Sequence, residues 1–328
     1  MTITRRKLLL ALATLGPALS LAPDVAAQER WPSRPIRFIV PFAAGATTDL
    51  LARALAPGMA EHLGQPVVVE NIPGAGGTVG TGRLAKLPPD GYAIGIGQTA
   101  DLVVGPLLHK NVDYNPVRDL TPIARLLDLS QLLVVRADSP FRTLNDLLAA
   151  ARAKPGSVIF GTSGIGGTPH LIGELLQQRA QMQLVHVPYR GGAPAMAALL
   201  GGEVHFNLAV PDLALQHLRA GKLRVLATGG RERHRLFPDV STIAESLPGF
   251  PAIDPWFSIV APAGLPAAVQ QRLAAEARKA LTVPAVAERL TALGLDVNYG
   301  GPEELARTIA SGIALWEPLI KSANIRAE

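Results

Sequence analysis

The sequence predicts an α/β protein of two domains, each with a parallel sheet flanked by helices. Three observations carry the prediction. Apolar runs of strand length alternate with amphipathic runs along most of the chain, the pattern of sheets covered by helices. The 328-residue chain, 48% of it hydrophobic, is long enough for two cores. A strand, a loop of small residues and a helix recur in both halves, as "RFIVPFAAGATTDLLARAL", "VIFGTSGIGGTPHLIGELL" and "LVHVPYRGGAPAMAALL".

The first 27 residues read as a leader. Arg5, Arg6 and Lys7 precede an apolar run to about Leu21, and Val25-Ala26-Ala27 offers small residues for cleavage near Ala27, as in a secretory signal peptide. Gly16 and Pro17 interrupt the run, which is too short to be a membrane span. "TRRKLLL" also loosely matches a twin-arginine signal, and either export route ends outside the cytoplasm, in the periplasm. Phe38 to Val40 then form a buried strand ended by Pro41, and Leu50, Leu51, Ala54 and Leu55 recur at helical spacing. Strands follow at Val67–Glu70 and Tyr92–Ile96, separated by the Gly-rich "NIPGAGGTVG" and a helix to about Ala85, with another helix near Asp101–Leu108.

The second half alternates more regularly. Strands at Leu132–Val135, Val158–Phe160, Leu184–Val187, Val204–Leu208 and Leu223–Ala227 are separated by helices at Leu144–Ala153, Thr168–Ala180, Ala193–Leu200 and Leu213–Leu218. From Pro266 the chain turns helical, at 266–281, 284–293 and 303–323. These late helices have few strands of their own to cover, so they are expected to return to the first sheet.

Charge and composition exclude several functions. Removing the leader takes three basic residues and Asp24 from totals of 31 and 26, leaving 28 and 25 and a net charge of +3. So mild a balance argues against nucleic acid. There is no cysteine, which excludes disulfides, thiolate metal sites and a cysteine nucleophile. No later segment reaches the roughly 18 uncharged apolar residues of a membrane helix. The expected product is an exported, soluble monomer without cofactor or metal.

Enzyme motifs are missing or incomplete. "GTSGI" at 161–165 lacks the spacing of a nucleophile elbow, because Gly164 follows Ser163 directly and Ile165 stands where the second glycine belongs. The seven histidines form no H-E-x-x-H pair. "GIGQTA" at 95–100 fits a dinucleotide fingerprint, but no strand ends in an acidic residue about 20 positions on. The three small-residue loops suit another chemistry. Unpaired N–H groups and the positive dipole end of a helix start favour an anion, and Gly45 with Ala43, Ala44 and Ala46 lets one approach. The alternative at each loop is a plain turn, with Thr47 or Thr48 as cap, Asp49 paired with the dipole and His170 packed or capping. Ligands of open α/β sheets bind beyond the strands' carboxyl ends, so loops in two domains point to a cleft between them.

The stretches "WPSRPIRFIVPFAAGATTDLLAR", "GQPVVVENIPGAGGTVGTGRLAKLPPDGYAIGIG", "GTSGIGGTPHLIGELL", "HVPYRGGAPAMAALLGGEV", "AGKLRVLAT", "PDVSTIAES" and "APAGLP" resemble, in order and spacing, the Bug receptors, periplasmic substrate-binding proteins of tripartite tricarboxylate transporters. The resemblance covers essentially the whole mature chain. It implies a type II Venus-flytrap fold, each domain a mixed, mostly parallel sheet flanked by helices and the ligand cleft between them, with domain 1 at 28–131 plus 254–328, domain 2 at 132–253, and crossings near Leu132–Arg136 and Pro255–Ala261 as the hinge. It implies reversible capture of a small carboxylate and delivery to a membrane permease; a sensor that presents its closed form to a membrane signalling protein would have the same soluble chain. The family's two loops wrap a carboxylate from opposite sides, partly through water. Carried over, the first loop supplies Phe42, Ala43, Ala44, Gly45, Ala46, Thr47, Thr48 and Asp49. The second supplies Thr162, Ser163, Gly164, Gly166, Gly167 and Thr168, with His170 behind, and Gln98, Thr99, Tyr189, Arg190 and Ala209 complete the set.

The departures from the family bear on the ligand. Ile165, Gly167 and Pro169 replace polar side chains of the second loop, and Ala209-Val210 stand where many members carry Asp-Asn. Fewer polar groups leave less to satisfy hydroxyls or an ammonium, so the expected ligand is a mono- or dicarboxylate with an apolar or aromatic body and no amino group. Arg190 and Gln98 offer a distal anchor, an exposed Arg190 being the alternative. Asp101, where the family has a small residue, is expected to read a ligand hydroxyl or repel a second carboxylate.

Overall fold

A computed structural model describes residues 31–292 and 295–325; the expected leader lies outside them. The first domain opens with β1 (Ile36–Val40), α1 (Thr47–Leu63), β2 (Val67–Asn71), α2 (Thr78–Ala85), β3 (Ala93–Gln98), α3 (Gly105–Leu108) and β4 (Leu120–Asp128). The second contains β5 (Leu132–Arg136), α4 (Leu144–Ala153), β6 (Val158–Thr162), α5 (Thr168–Ala180), β7 (Leu184–Pro188), α6 (Gly192–Gly201), β8 (Phe206–Ala209), α7 (Pro211–Arg219), β9 (Leu223–Thr228) and the short α8 (Ile243–Ser246). The chain then returns through β10 (Trp256–Pro262), α9 (Ala267–Thr282), α10 (Pro284–Ala292), β11 (Asp296–Gly300) and α11 (Pro302–Ser322).

Two mixed sheets result, ordered β11-β4-β10-β3-β1-β2 and β7-β6-β8-β5-β9. Pairing is parallel between β1 and its neighbours β2 and β3, and between β6 and its neighbours β7 and β8. The remaining pairs, around β10, β4, β11 and β5, are antiparallel. The reason is the crossing. β10 and β5 each enter from the other domain and run away from the boundary, against strands that run toward it. The carboxyl ends of β1 and β3, and of β6, β7 and β8, therefore all face the domain boundary, and their loops emerge there.

Both faces of each sheet are covered, which is why the central strands read as near-continuous apolar runs. Ile36, Phe38 and Val40 pack with Leu51, Leu55 and Met59 of α1 and Leu273 and Ala277 of α9, while Ile39 joins the opposite layer. In β5, Leu132 and Val134 face one layer and Leu133 and Val135 the other. α9 and α11 pack on β4, so the late helices do return to the first sheet. The expected crossings at Leu132–Arg136 and Pro255–Ala261 lie mostly inside paired strands. The connecting stretches just precede them and are tied together: Leu129 N–H donates to the Pro255 carbonyl (2.7 Å), Gly229 N–H to the Gln131 carbonyl (2.8 Å), and the Ser130 hydroxyl to Asp254 Oδ1 (3.2 Å).

Candidate functional site

The loop between β1 and α1 is held from below by one carboxylate. Gly45, in the left-handed region at φ 84°, donates its N–H to Asp49 Oδ2 at 2.9 Å, and Asn71 Nδ2 donates to Asp49 Oδ1 at 2.9 Å and to the Phe42 carbonyl at 3.1 Å. Arg53 Nε lies 3.0 Å from both Asp49 oxygens. Burial alone would raise the Asp49 carboxyl, but these hydrogen bonds outweigh it and hold it below the usual range. Ala46, and neither Thr47 nor Thr48, is the N-cap and offers no side-chain acceptor, so among the described residues the first-turn N–H groups of α1 have neither an intrahelical nor a side-chain partner. Ala43, Ala44 and Gly45 are exposed around them. Thr48 Oγ1 is buried without a hydrogen-bond partner among the described residues.

The loop between β6 and α5 repeats this backbone. Gly166 stands at φ 75°, Gly167 caps at φ −67° and ψ 158°, and Ala46 has φ −67° and ψ 159°. Gly166 N–H donates to His170 Nδ1 at 3.0 Å, four residues on, as Gly45 does to Asp49. Among the described residues no side chain caps α5 either, and Pro169 removes one of its N–H donors. Behind the loop His170 stacks on His186 with centroids 4.0 Å apart, and His186 stacks on Phe160 at 4.8 Å. The Thr162 hydroxyl bridges His186 Nε2 (2.7 Å) and the Gly164 carbonyl (3.1 Å). Burial, then the neighbouring His170, pushes the His186 imidazole down to about 4.

The third loop is knit to the second. Tyr189 N–H donates to the Thr162 carbonyl at 2.9 Å and Gly191 N–H to the Ser163 carbonyl at 3.2 Å, while the Tyr189 hydroxyl reaches Glu203 at 3.3 Å. Arg190 and Ser163 are exposed, Gln98 is half-buried, and Thr168 begins α5. Ala209 is buried at the end of β8, paired with Leu132. Thr99 is buried, its Oγ1 accepting the Trp256 N–H at 3.2 Å. The first-domain loops meet where Gly77 abuts Phe42 and Asp101, and the domains touch where Leu108 packs against Gly166.

Asp101 corrects the sequence expectation. It is fully buried, accepting the Thr81 hydroxyl at 2.7 Å and the Gln98 N–H at 3.0 Å, so it supports the cleft wall and does not reach a ligand. Burial pushes it up to about 7, against the pull of those bonds. Two cavities among the described residues are lined by neither loop. One, about 1140 Å³, runs between α2, residues 107–113 and the end of α11; the other, about 910 Å³, lies beside the crossings, and of the predicted site residues only Thr99 lines it. Sequence reading missed Arg53, Asn71 and His186, the residues that shape the loops. The signals were the polar Asn71 and His186 at strand positions facing the loops in "VVVEN" and "LVHVP".

A fold that divides two sheets between domains and turns uncapped helix starts toward their boundary is that of a periplasmic solute-binding protein. The chain belongs to the tripartite tricarboxylate transporter receptor family: the model described as "Tripartite tricarboxylate transporter family receptor" matches residues 51–325. It is 34% identical to the periplasmic binding protein BugD, covering 91% of this chain and 100% of that one with a TM-score of 0.73. It is 32% identical to R. palustris Rpa4515, solved with adipate (90% and 99% covered, TM-score 0.76). It is also 32% identical to MatC (Rpa3494) from Rhodopseudomonas palustris, solved with bound malate (88% and 99%, TM-score 0.72). These are receptors and not enzymes.

Proposed function

We propose that this chain is an extracytoplasmic receptor, exported to the periplasm and cleaved near Ala27, that captures a small mono- or dicarboxylate for a tripartite tricarboxylate-type permease. The observation that carries the reading is the matched pair of loops, Ala43–Asp49 and Thr162–His170, whose helix N-termini emerge at one domain boundary. Two helix N-termini hold an anion without a buried cation, each dipole adding about 0.3–2 kcal/mol, and water completes the shell. Binding of adipate and malate by structural relatives supports a carboxylate. Domain 1 (28–131 plus 254–328) and domain 2 (132–253) close over the ligand by bending at the two tied crossings.

The ligand favoured by this cleft has an apolar or aromatic body and no amino group. Ile165 is exposed at the loop and Ala209 ends β8, so little is on offer to an ammonium. Calorimetry with adipate, malate, an aromatic monocarboxylate, aspartate and glutamate tests this. Binding confined to the amino-free acids is the expected result; tight binding of aspartate or glutamate contradicts the ligand class.

A further inference from the structure

Asp49 and His170 occupy the same place in two copies of one loop. Each is the third residue of its helix, and each accepts the N–H of a positive-φ glycine four residues earlier. Each also meets a charged side chain one turn on: Arg53 Nε at 3.0 Å from Asp49, and Glu174 Oε1 at 3.5 Å from His170 Nε2. A carboxylate keeps its acceptor capacity across neutral pH. An imidazole accepts only through an unprotonated nitrogen.

We propose that His170 is a positioning residue of the second loop: its neutral ring holds the Gly164–Thr168 backbone in the anion-accepting shape, and the His170–His186 stack makes that loop release its ligand on acidification. The proposal rests on reading the loop as a carboxylate site. Glu174 keeps the ring proton on Nε2 and leaves Nδ1 as the acceptor for Gly166. The stack runs on through Phe160 to Phe206, with the two phenyl centroids 5.5 Å apart, so the imidazoles are clamped in place. Two rings 4.0 Å apart inside a domain do not both carry charge. The charges that act on His186 are His170 and Glu174. α11 packs across α5 without an ion pair to it among the described residues. His186 is half-buried beside His170. A proton on His170 Nδ1 turns an acceptor into a donor facing the Gly166 N–H, and the loop opens. The first loop, braced by a carboxylate, does not respond in that range.

The test is a pH titration of the isotope-labelled chain without ligand, followed at the Gly166 and Gly45 amides and at the ring protons of His170 and His186. The Gly166 amide is expected to move with the first proton taken by the histidine pair, while Gly45 stays fixed above about pH 5. In His170→Asn, whose side-chain oxygen accepts the same N–H and does not titrate, Gly166 keeps its neutral-pH position throughout. His170→Ala displaces it at every pH. A Gly166 amide indifferent to the histidine titration, or equal pH dependence in wild type and His170→Asn, overturns the proposal. Calorimetry with adipate and malate adds a second arm: about tenfold weaker binding at about pH 5 than at pH 7.5 in wild type, the size of one lost hydrogen bond, and less than about twofold in His170→Asn. Equal binding by wild type at both pH values also overturns it. If no carboxylate binds while the amide response is intact, the positioning role is supported and the receptor reading fails.

Discussion

The loops at the starts of α1 and α5 have the same backbone but different supports. In the first domain a buried carboxylate collects hydrogen bonds from Gly45, Asn71 and Arg53. In the second an imidazole leans on a column of rings, His186, Phe160 and Phe206. The difference teaches that the ligand-facing shape is set by the glycine and the helix start, while the residue beneath sets how the loop answers to pH and packing. The first support is polar and local; the second is a piece of domain core that reaches the cleft.

The largest effect is expected from removing a middle ring of the column. Phe160→Ala is expected to cost about 3–5 kcal/mol in urea unfolding, with the second loop disturbed and the first unchanged in its amide spectrum. Equal disturbance of both loops would show that the two supports are not independent. Asp49→Ala is next. It strands the Gly45 N–H and the Asn71 amide, and a loss of about 2–3 kcal/mol is expected, without effect on the histidine stack.

The titrating groups separate the two domains further. Asp101 has a folded value, about 7, above its ordinary 3.8; the stability it lends is complete below about 3.8 and lost as pH rises through 7. Asp101→Asn is therefore expected to stabilise the protein by about 1–3 kcal/mol at pH 8 and to change little at pH 4, read by thermal melting. His186 runs the other way. Its folded value, about 4, lies below its ordinary 6.5, so its contribution is present above 6.5 and lost as pH falls toward 4. His186→Phe is expected to flatten that slope by about 1–2 kcal/mol, a figure reduced for its partial exposure. The smallest effect belongs to Arg190→Ala. With its side chain exposed, stability should stay within about 0.5 kcal/mol, and a weakened dicarboxylate affinity would mark it as the distal anchor.

The loops were legible in the sequence because their signal is local: an apolar strand, small residues with glycine, and a helix beginning at Thr47 or Thr168. What lay beyond local reach was not. β4, β10 and β11 pair antiparallel with strands far away in the chain, and Pro122 and Arg125 break up the apolar run of β4. Asp101 looked available to a ligand because its burial comes from Gly77, Thr81 and Tyr114 on other elements. His186 read as a polar position of a strand, since nothing nearby in "LVHVP" announces a second histidine stacked over it from α5.

The most direct test is a crystal structure of the mature chain grown with whichever carboxylate gives the largest thermal shift. A carboxylate group is expected within hydrogen-bond distance of the first-turn N–H groups of both α1 and α5, with the domains closed around it. A ligand seated in the groove between α2 and α11, or touching only one of the two helix starts, would contradict it.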